Sequence, residues 1–239
     1  FFIHAPSANE RHGFGVSVVH DRLGITRQNF LTANYAFRFP MLGGTMALGL
    51  RGGVTNFTNR YGDLFTIDPD QANPQIDQTA WLPRVGTGFY FNTERFYLGV
   101  SAPNILSGRY FRYQDQTAFD LASVQRVHYF GTIGVVIPLS DQVEFKPSIV
   151  AKYVQNAPGE LDLNANFLFK KVLWIGAGYR TRDALMAMVQ YQSLKGWSVG
   201  YAYDYTLTQL GRVNTGSHEI FLGLDLGLTR SKIITPRYF

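Results

Sequence analysis

The residues that could do chemistry are few, and their spacing does not favour catalysis. His218 and Glu219 are adjacent, but successive residues of a strand point to opposite faces, so this imidazole and this carboxylate cannot act on one substrate. His128 and Ser123 lie near each other in the sequence, with no third residue placed to orient a nucleophile. The sequence therefore predicts no enzyme and no catalytic residue.

Loop carboxylates and paired glycines also differ from known ligand-binding patterns. Asp68, Asp70 and Asp115 lack the spacing of an EF-hand calcium loop, and we expect them to be solvated. The Gly-x-Gly segments at 13–15 and 176–178 are not followed by a helical pattern, as a phosphate-binding loop would be. The chain has no cysteine, which excludes disulfides and thiolate ligands. We therefore expect no metal and no cofactor.

The composition is rich in glycine and aromatic residues and poor in charge. The 239 residues include 24 glycines, and 15% are aromatic but only 16% are charged, against a usual charged fraction of about 25%. The net charge of +5 comes from basic residues scattered along the chain, which argues against a nucleic-acid partner. No apolar run reaches the roughly 18 residues that a transmembrane helix needs.

Apolar and polar residues alternate along most of the chain, which is the pattern of strands with one apolar face. In the closing segment, His218, Ile220 and Leu222 share one face, whereas Glu219 and Asp225 occupy the other. About ten residues of a tilted strand suffice to cross an outer-membrane hydrocarbon layer. We predict twelve strands, at residues 12–21, 25–39, 44–56, 82–93, 95–103, 126–138, 142–156, 160–170, 172–181, 184–194, 196–206 and 217–228.

The lengths of the connections alternate along the chain. Every second connection is tight, at residues 40–43, 93–94, 139–141, 170–171 and 194–195. The long connections, at residues 57–81, 104–125 and 207–213, all fall in the other set. Short turns at one end and long loops at the other are typical of outer-membrane barrels, whose short turns are periplasmic and whose longer loops are extracellular. A soluble sandwich would not sort its loops in this way.

The fold prediction is therefore an all-β, transmembrane, antiparallel outer-membrane β-barrel. Residues 1–6 have the character of a descending strand whose partner lies upstream, so we expect 12–13 strands within this chain and 14 in the full protein. The barrel would occupy residues 1–228, without its N-terminal strand or strands and without the signal peptide that export requires. Residues 229–239, interrupted by Pro236, would form a periplasmic C-terminal tail.

Charged residues on the strands share the face opposite to the apolar one. An Arg or Lys facing lipid at the midplane costs about 2–4 kcal/mol, so the charged face is expected to line the lumen and the apolar face to contact outer-membrane lipids. Both signs of charge occur, which favours internal ion pairs over a single-sign selectivity ring. The expected lumen charges are Arg38, Arg51, Arg84, Glu144, Lys146, Lys152, Asp162, Arg180, Asp204, Glu219 and Asp225. The aromatic residues expected in girdles at the membrane interfaces are Phe39, Phe91, Tyr153, Phe169, Tyr179 and Tyr205.

Several stretches of the sequence resemble one family. They are GFGVSVVHDRLG at 13–24, NYAFRF at 34–39, SHEIFLGLDLG at 217–227 and TPRYF at 235–239, and they are similar to the PorP/SprF family of the Bacteroidetes type IX secretion and gliding motility system. The resemblance implies a non-enzymatic outer-membrane protein that partners periplasmic ring lipoproteins and helps to secrete or anchor a surface protein or adhesin. The residues that the resemblance marks for partner binding are Ser217, His218, Glu219, Pro236, Arg237, Tyr238 and Phe239.

Two functions from different classes remain open at this point. As a secretion component, the protein would use its tail and tight turns toward the ring and its loops at 57–81 and 104–125 toward cargo. The alternative is a transport channel for small solutes, porin-like or FadL-like. The two differ in the lumen, because a channel needs a continuous wet path whereas a scaffold barrel can be plugged.

Overall fold

The protein is almost entirely β-strand. The computed structural model describes residues 1–63, 77–106, 108–109, 112–114, 117–119 and 124–226. Two short 3-10 turns, at Tyr61–Asp63 and Gln209–Arg212, are its helical elements within these ranges. The strands in chain order are β1 (Phe2–Pro6), β2 (His12–Leu23), β3 (Thr26–Met41), β4 (Gly44–Asn59), β5 (Gln78–Asn92), β6 (Phe96–Ala102), β7 (Gly108–Arg109), β8 (Arg112–Gln114), β9 (Thr117–Phe119), β10 (Val124–Gln125), β11 (His128–Val135), β12 (Ile137–Ser140), β13 (Val143–Val154), β14 (Glu160–Phe169), β15 (Leu173–Arg180), β16 (Ala184–Gln192), β17 (Trp197–Thr206) and β18 (Ser217–Leu224).

One sheet of 14 strands contains all the long strands. Its order is β1-β2-β3-β4-β5-β6-β11-β13-β14-β15-β16-β17-β18, and β12, which follows β11 after one residue, also pairs with β13. Pairs whose register is resolved, such as β1 with β2 and β17 with β18, are antiparallel. The prediction of an all-β antiparallel fold is confirmed. No helix in the ranges given above is long and apolar enough to cross a membrane.

The region predicted as the second long loop, 104–125, differs from that prediction. It contains the short strands β7 to β10, in which β10 pairs with β7 and β8 pairs with β9 as two small sheets. These pairs are only two or three residues long, too short to leave a periodic signal in the sequence.

Three predicted boundaries shift. The strands around 57–81 are longer than expected, because hydroxyl and amide groups pair their polar ends: Thr58 contacts Thr79 at 3.2 Å, and Thr26 donates to Asn59 at 2.8 Å. The predicted turn at 139–141 is wrong by about one residue, since β12 extends to Ser140. An irregular register follows Pro138, which has no N–H for the ladder. The predicted closing strand, 217–228, ends at Leu224, and residues 227–228 lie outside the described ranges.

Internal contacts divide the chain into two compact units. The first unit is Phe1–Phe39, Ala47–Phe89 and Ser101–His128, and the second unit is Pro40–Met46, Tyr90–Val100 and Tyr129–Phe239.

In the second unit the sheet has an apolar face and a polar face. The side chains of the apolar face are exposed, whereas Lys146 on the polar face is buried. Ile149, Leu163, Tyr179 and Leu185 are successive register partners across β13 to β16 and are 40–47% exposed. On the opposite face Lys146 is buried, with 4% of its surface exposed. This distribution is the reverse of that in a water-soluble protein. It is the distribution of a sheet whose apolar face meets lipid.

Candidate functional site

Four charged side chains meet on the polar face of the second unit, near the end of β13, the start of β14 and the end of β15. Lys152 is the register partner of Glu160, and its Nζ lies 2.6 Å from Glu160 Oε1. The same Nζ lies 3.0 Å from Asp162 Oδ2. Arg180, the register partner of Asp162, places its Nε 3.1 Å from Asp162 Oδ1 and 3.4 Å from Glu160 Oε1. Two cations and two carboxylates thus contact one another across three strands.

Arg180 extends this network to the next strands. Its Nη1 lies 3.4 Å from Asp183 Oδ2 and 3.7 Å from Asp204 Oδ2, and Asp204 belongs to β17. The charge network, as we call Lys152, Arg180 and their four carboxylate partners, therefore joins β13 to β17. It stabilises neighbouring strands, because every cation in it has a hydrogen-bonded carboxylate.

A third basic side chain of this face lies nearer the opposite ends of the strands. Lys146 Nζ is 3.3 Å from Glu144 Oε2 and 4.5 Å from the centre of the Trp174 ring, a cation–π contact. Between Lys146 and the charge network, Ser148 pairs with Asn164, which stands opposite Gly178 of β15. This part of the face is therefore polar but uncharged.

The predicted lumen charges of the first unit are held differently. Arg51 donates from Nη2 to Thr32 Oγ1 at 3.1 Å, and Arg84 donates from Nε to Thr55 Oγ1. The Arg84 guanidinium also lies over the Phe30 ring, 4.6 Å from its centre. Thr32 and Thr55 are almost fully buried. The sequence predicted ion pairs with carboxylates for these arginines. The contacts described here are with hydroxyl groups and an aromatic ring.

The remaining predicted charges occupy edge or terminal positions. Arg38 is half-buried near the end of β3, with its backbone N–H bonded to the carbonyl of Arg11 at 2.7 Å. Glu219 stands opposite Ala202 on the polar face of β18 and is exposed. Asp225 follows β18 and donates its backbone N–H to the carbonyl of Gly196 at 2.6 Å.

The structure places three of the predicted partner-binding residues at the start of β18. Ser217 pairs with Asp204, and His218 pairs with Tyr203. His218 Nδ1 lies 2.7 Å from the Tyr201 hydroxyl on the apolar face. The adjacent Glu219 points to the other face, so the two do not form an acid–base pair.

The other four predicted partner-binding residues, Pro236, Arg237, Tyr238 and Phe239, lie outside the described residues. The chain approaches them from the other end of β18, where Asp225 is bonded to Gly196 in the tight turn between β16 and β17. Ser217 and Asp225 therefore lie at opposite ends of one strand.

Two features of the tight turns were not found by sequence reasoning. Leu42, Lys170 and Lys171 adopt left-handed backbone conformations, and large apolar side chains stand exposed at Leu42 and Leu194. The sequence contained one sign of the left-handed conformations. A leucine and two lysines occupy positions at which tight hairpins favour Asn or Gly. No three His, Asp or Glu side chains converge as metal ligands would in the part of the chain that the structure describes.

Comparisons with known proteins give one match. Residues 1–224 match the family described as type IX secretion system membrane protein PorP/SprF. No curated protein and no solved structure matches the chain. The family match extends from β1 to the end of β18 and so includes the charge network and every tight turn. The antiparallel sheet with an exposed apolar face agrees with this match. The chain therefore belongs to the PorP/SprF family of type IX secretion membrane proteins, a family of secretion-system components rather than of enzymes.

Proposed function

We propose that this protein is a non-enzymatic outer-membrane component of the type IX secretion and gliding machinery, which docks to periplasmic ring lipoproteins and helps to secrete or anchor surface proteins. Its sheet would close as a barrel, with 14 strands in the full protein. The observation that supports this most strongly is the exposed apolar face of the second unit, opposite the buried Lys146. In water that face would be an aggregation surface, whereas in lipid it is favourable.

The connection lengths support one orientation in the membrane. The connections at 42–43, 93–95, 141–142, 170–172 and 193–196 are short, whereas those at 60–77, 103–127 and 207–216 are long. In outer-membrane barrels the short turns face the periplasm. We therefore propose that the tight turns and the C-terminal tail at 229–239 face the ring lipoproteins, and that the long connections face the cargo.

The charge network supports a scaffold over a selective filter. A filter for ions needs charges that remain available to the permeating solute, but Lys152 and Arg180 each have carboxylate partners within 3.1 Å. Charges that neutralise one another in this way stabilise the strand arrangement.

A small-solute channel is the second candidate, and one observation favours it. The paired Ser148 and Asn164, with Gly178 beside them, offer hydroxyl and amide groups without charge, as the wall of a pore for neutral solutes would. The scaffold and the channel can be distinguished by conductance, because only a channel conducts steadily in a planar bilayer.

The experiment uses full-length protein purified in mild detergent from outer membranes of native cells. We expect ring lipoproteins to co-purify, and we expect the protein to give no steady, solute-selective conductance in planar bilayers. Steady selective conductance without co-purifying lipoproteins would favour the channel.

Deletion of residues 235–239 tests the tail. We expect loss of co-purification at a normal level of inserted protein. Insertion is measured separately, since a terminal aromatic residue can also act as an assembly signal. Unchanged complexes together with normal insertion would exclude the tail as a docking peptide.

A further inference from the structure

Five tight connections of the sheet share one end, whereas those at 24–25 and 181–183 lie at the opposite end. Alternate connections of an antiparallel meander lie at the same end of the strands, so the turns at 42–43, 93–95, 141–142, 170–172 and 193–196 are grouped together. All of them belong to the second unit. We call this region the tight-turn end.

The backbone at two of these turns opposes the local preference of its residues. Leu42 has φ +48° ahead of Gly43 at +73°, and Lys170 and Lys171 have φ +50° and +59°. Type I′ turns of this kind favour Asn-Gly, and a left-handed residue with a full side chain costs on the order of 1 kcal/mol or more. Left-handed residues also occur elsewhere, at Arg182 for example. The backbone conformation alone therefore does not distinguish these turns from the others, but their exposed side chains do.

Leucines stand at the tips of two of the turns. Leu42 is 83% exposed and Leu194 is 88% exposed. Aromatic residues of the apolar face precede or follow them closely, at Phe39 and Trp197. Leu42 follows Met41, the last residue of β3, and the N–H of Ser193 bonds to the carbonyl of Trp197 at 2.8 Å, so both leucines lie in the turns just beyond the ends of the strands. An exposed leucine that extends beyond the membrane interface is in water unless a protein covers it.

The charges of the second unit at this end have a small positive excess. Lys170, Lys171 and Lys195 are exposed, and their side chains make no ion pair among the described residues. The other tight turns add Arg95, Glu94 and Asp141, and Asp225 lies at the same end, bonded to Gly196. Four cations therefore stand against three carboxylates, and the three lysines that have no ion pair among the described residues attract an acidic surface.

We propose that the tight-turn end is a docking surface for a water-soluble protein domain whose surface carries carboxylates around an apolar pocket. Leu42 and Leu194 are its apolar anchors, and Lys170, Lys171 and Lys195 are its basic rim. An apolar centre surrounded by charge is the usual anatomy of a protein interface. The inference rests on the proposed function, which places this end in the periplasm.

One substitution distinguishes a loss of docking from a loss of folding. Leu42→Asn creates an Asn-Gly type I′ turn, which the hairpin prefers, while it removes an anchor. The matched control is Leu23→Asn: Leu23 is 79% exposed beside Gly24, a left-handed glycine in the tight turn at the other end of β3. The charge variant is Lys170→Asn combined with Lys171→Gly, which also suits a type I′ turn.

The experiment introduces a photo-crosslinking amino acid at position 42, 194 or 23 of the full chain in native cells, and the adducts are identified by mass spectrometry. We expect positions 42 and 194, but not 23, to capture one identified soluble domain or lipoprotein with an acidic surface. We expect its capture from position 194 to fall roughly tenfold in the Leu42→Asn background. The Lys170→Asn/Lys171→Gly background should reduce capture several-fold, whereas Leu23→Asn leaves it unchanged.

The outcomes separate this inference from the function on which it rests. Capture of a ring lipoprotein supports both, whereas capture of a different acidic periplasmic protein supports the docking surface and contradicts the proposed partner. Adducts to lipid alone would overturn the docking surface in favour of membrane contact. The absence of protein adducts while ring lipoproteins still co-purify would overturn the docking surface and leave the proposed function standing.

Discussion

Asp162 on β14 and Arg180 on β15 face each other across the sheet, with Oδ1 and Nε 3.1 Å apart and only 11% and 23% of their side-chain surfaces exposed. Asp162 also accepts from Lys152, and Arg180 also reaches Asp183 and Asp204. Removing Arg180 thus leaves Asp183 and Asp204 without their cation, while Glu160 and Asp162 keep only Lys152. This costs more than the loss of one surface ion pair.

We predict that Arg180→Met lowers the free energy of unfolding by about 2 kcal/mol, because the remaining carboxylates repel one another at the end of β14 to β17. The measurement is denaturant unfolding of the protein in lipid vesicles, followed by tryptophan fluorescence. Arg182→Met is the control, since Arg182 is exposed and belongs to no ion pair in the described part of the chain. Equal effects of the two substitutions would show that the network contributes nothing beyond a surface charge.

The glycines of β15 make room for polar side chains of the neighbouring strand. A Cβ at Gly176 would collide with the Asn166 amide oxygen and approach Met188 Cγ to 2.8 Å. We predict that Gly176→Val destabilises the protein by about 1–3 kcal/mol, measured by the same unfolding assay.

Gly131 in β11 provides the matched comparison for this substitution. An added Cβ there has no atom within 4 Å, so Gly131→Val is expected to cost less stability than Gly176→Val. If the two substitutions cost the same, the close packing of β14 on β15 would be disproved.

Leu42→Asn should raise stability, because Asn tolerates the left-handed conformation that Leu42 adopts at φ +48°. We predict a gain of about 0.5–1 kcal/mol in unfolding free energy, in the same vesicle assay. A loss of stability would mean that the leucine side chain stabilises its own hairpin and is not an anchor for a partner.

The alternation of faces and of connection lengths was predictable from the sequence because both are local. Period-2 patterns such as the one from Ser217 to Leu224 fix which side chains share a face. The contacts of Arg51 and Arg84 were not predictable, since their hydroxyl partners Thr32 and Thr55 come from neighbouring strands. Register between strands is set by the whole sheet and leaves no mark on one segment.

The conformation of the turn at Lys170 and Lys171 was hidden for a different reason. Both lysines have left-handed φ values, which residue preferences disfavour. The hairpin imposes the type I′ geometry because it matches the twist of β14 and β15, and this outweighs the preference of the residues. Sequence reasoning located the turn correctly and could not foresee its strain.

The central claim is that the tight-turn end faces the periplasm while the long connections face outward, and the absence of cysteine from the chain allows a direct test. Single cysteines at Gln142, in a tight turn, and at Val213, in the connection between β17 and β18, are both at exposed positions, and neither residue belongs to the proposed docking surface. A membrane-impermeant maleimide is applied to intact cells and to cells with a permeabilised outer membrane. We predict that Val213→Cys is labelled in intact cells and that Gln142→Cys is labelled only after permeabilisation. Labelling of Gln142→Cys but not Val213→Cys in intact cells would contradict the account.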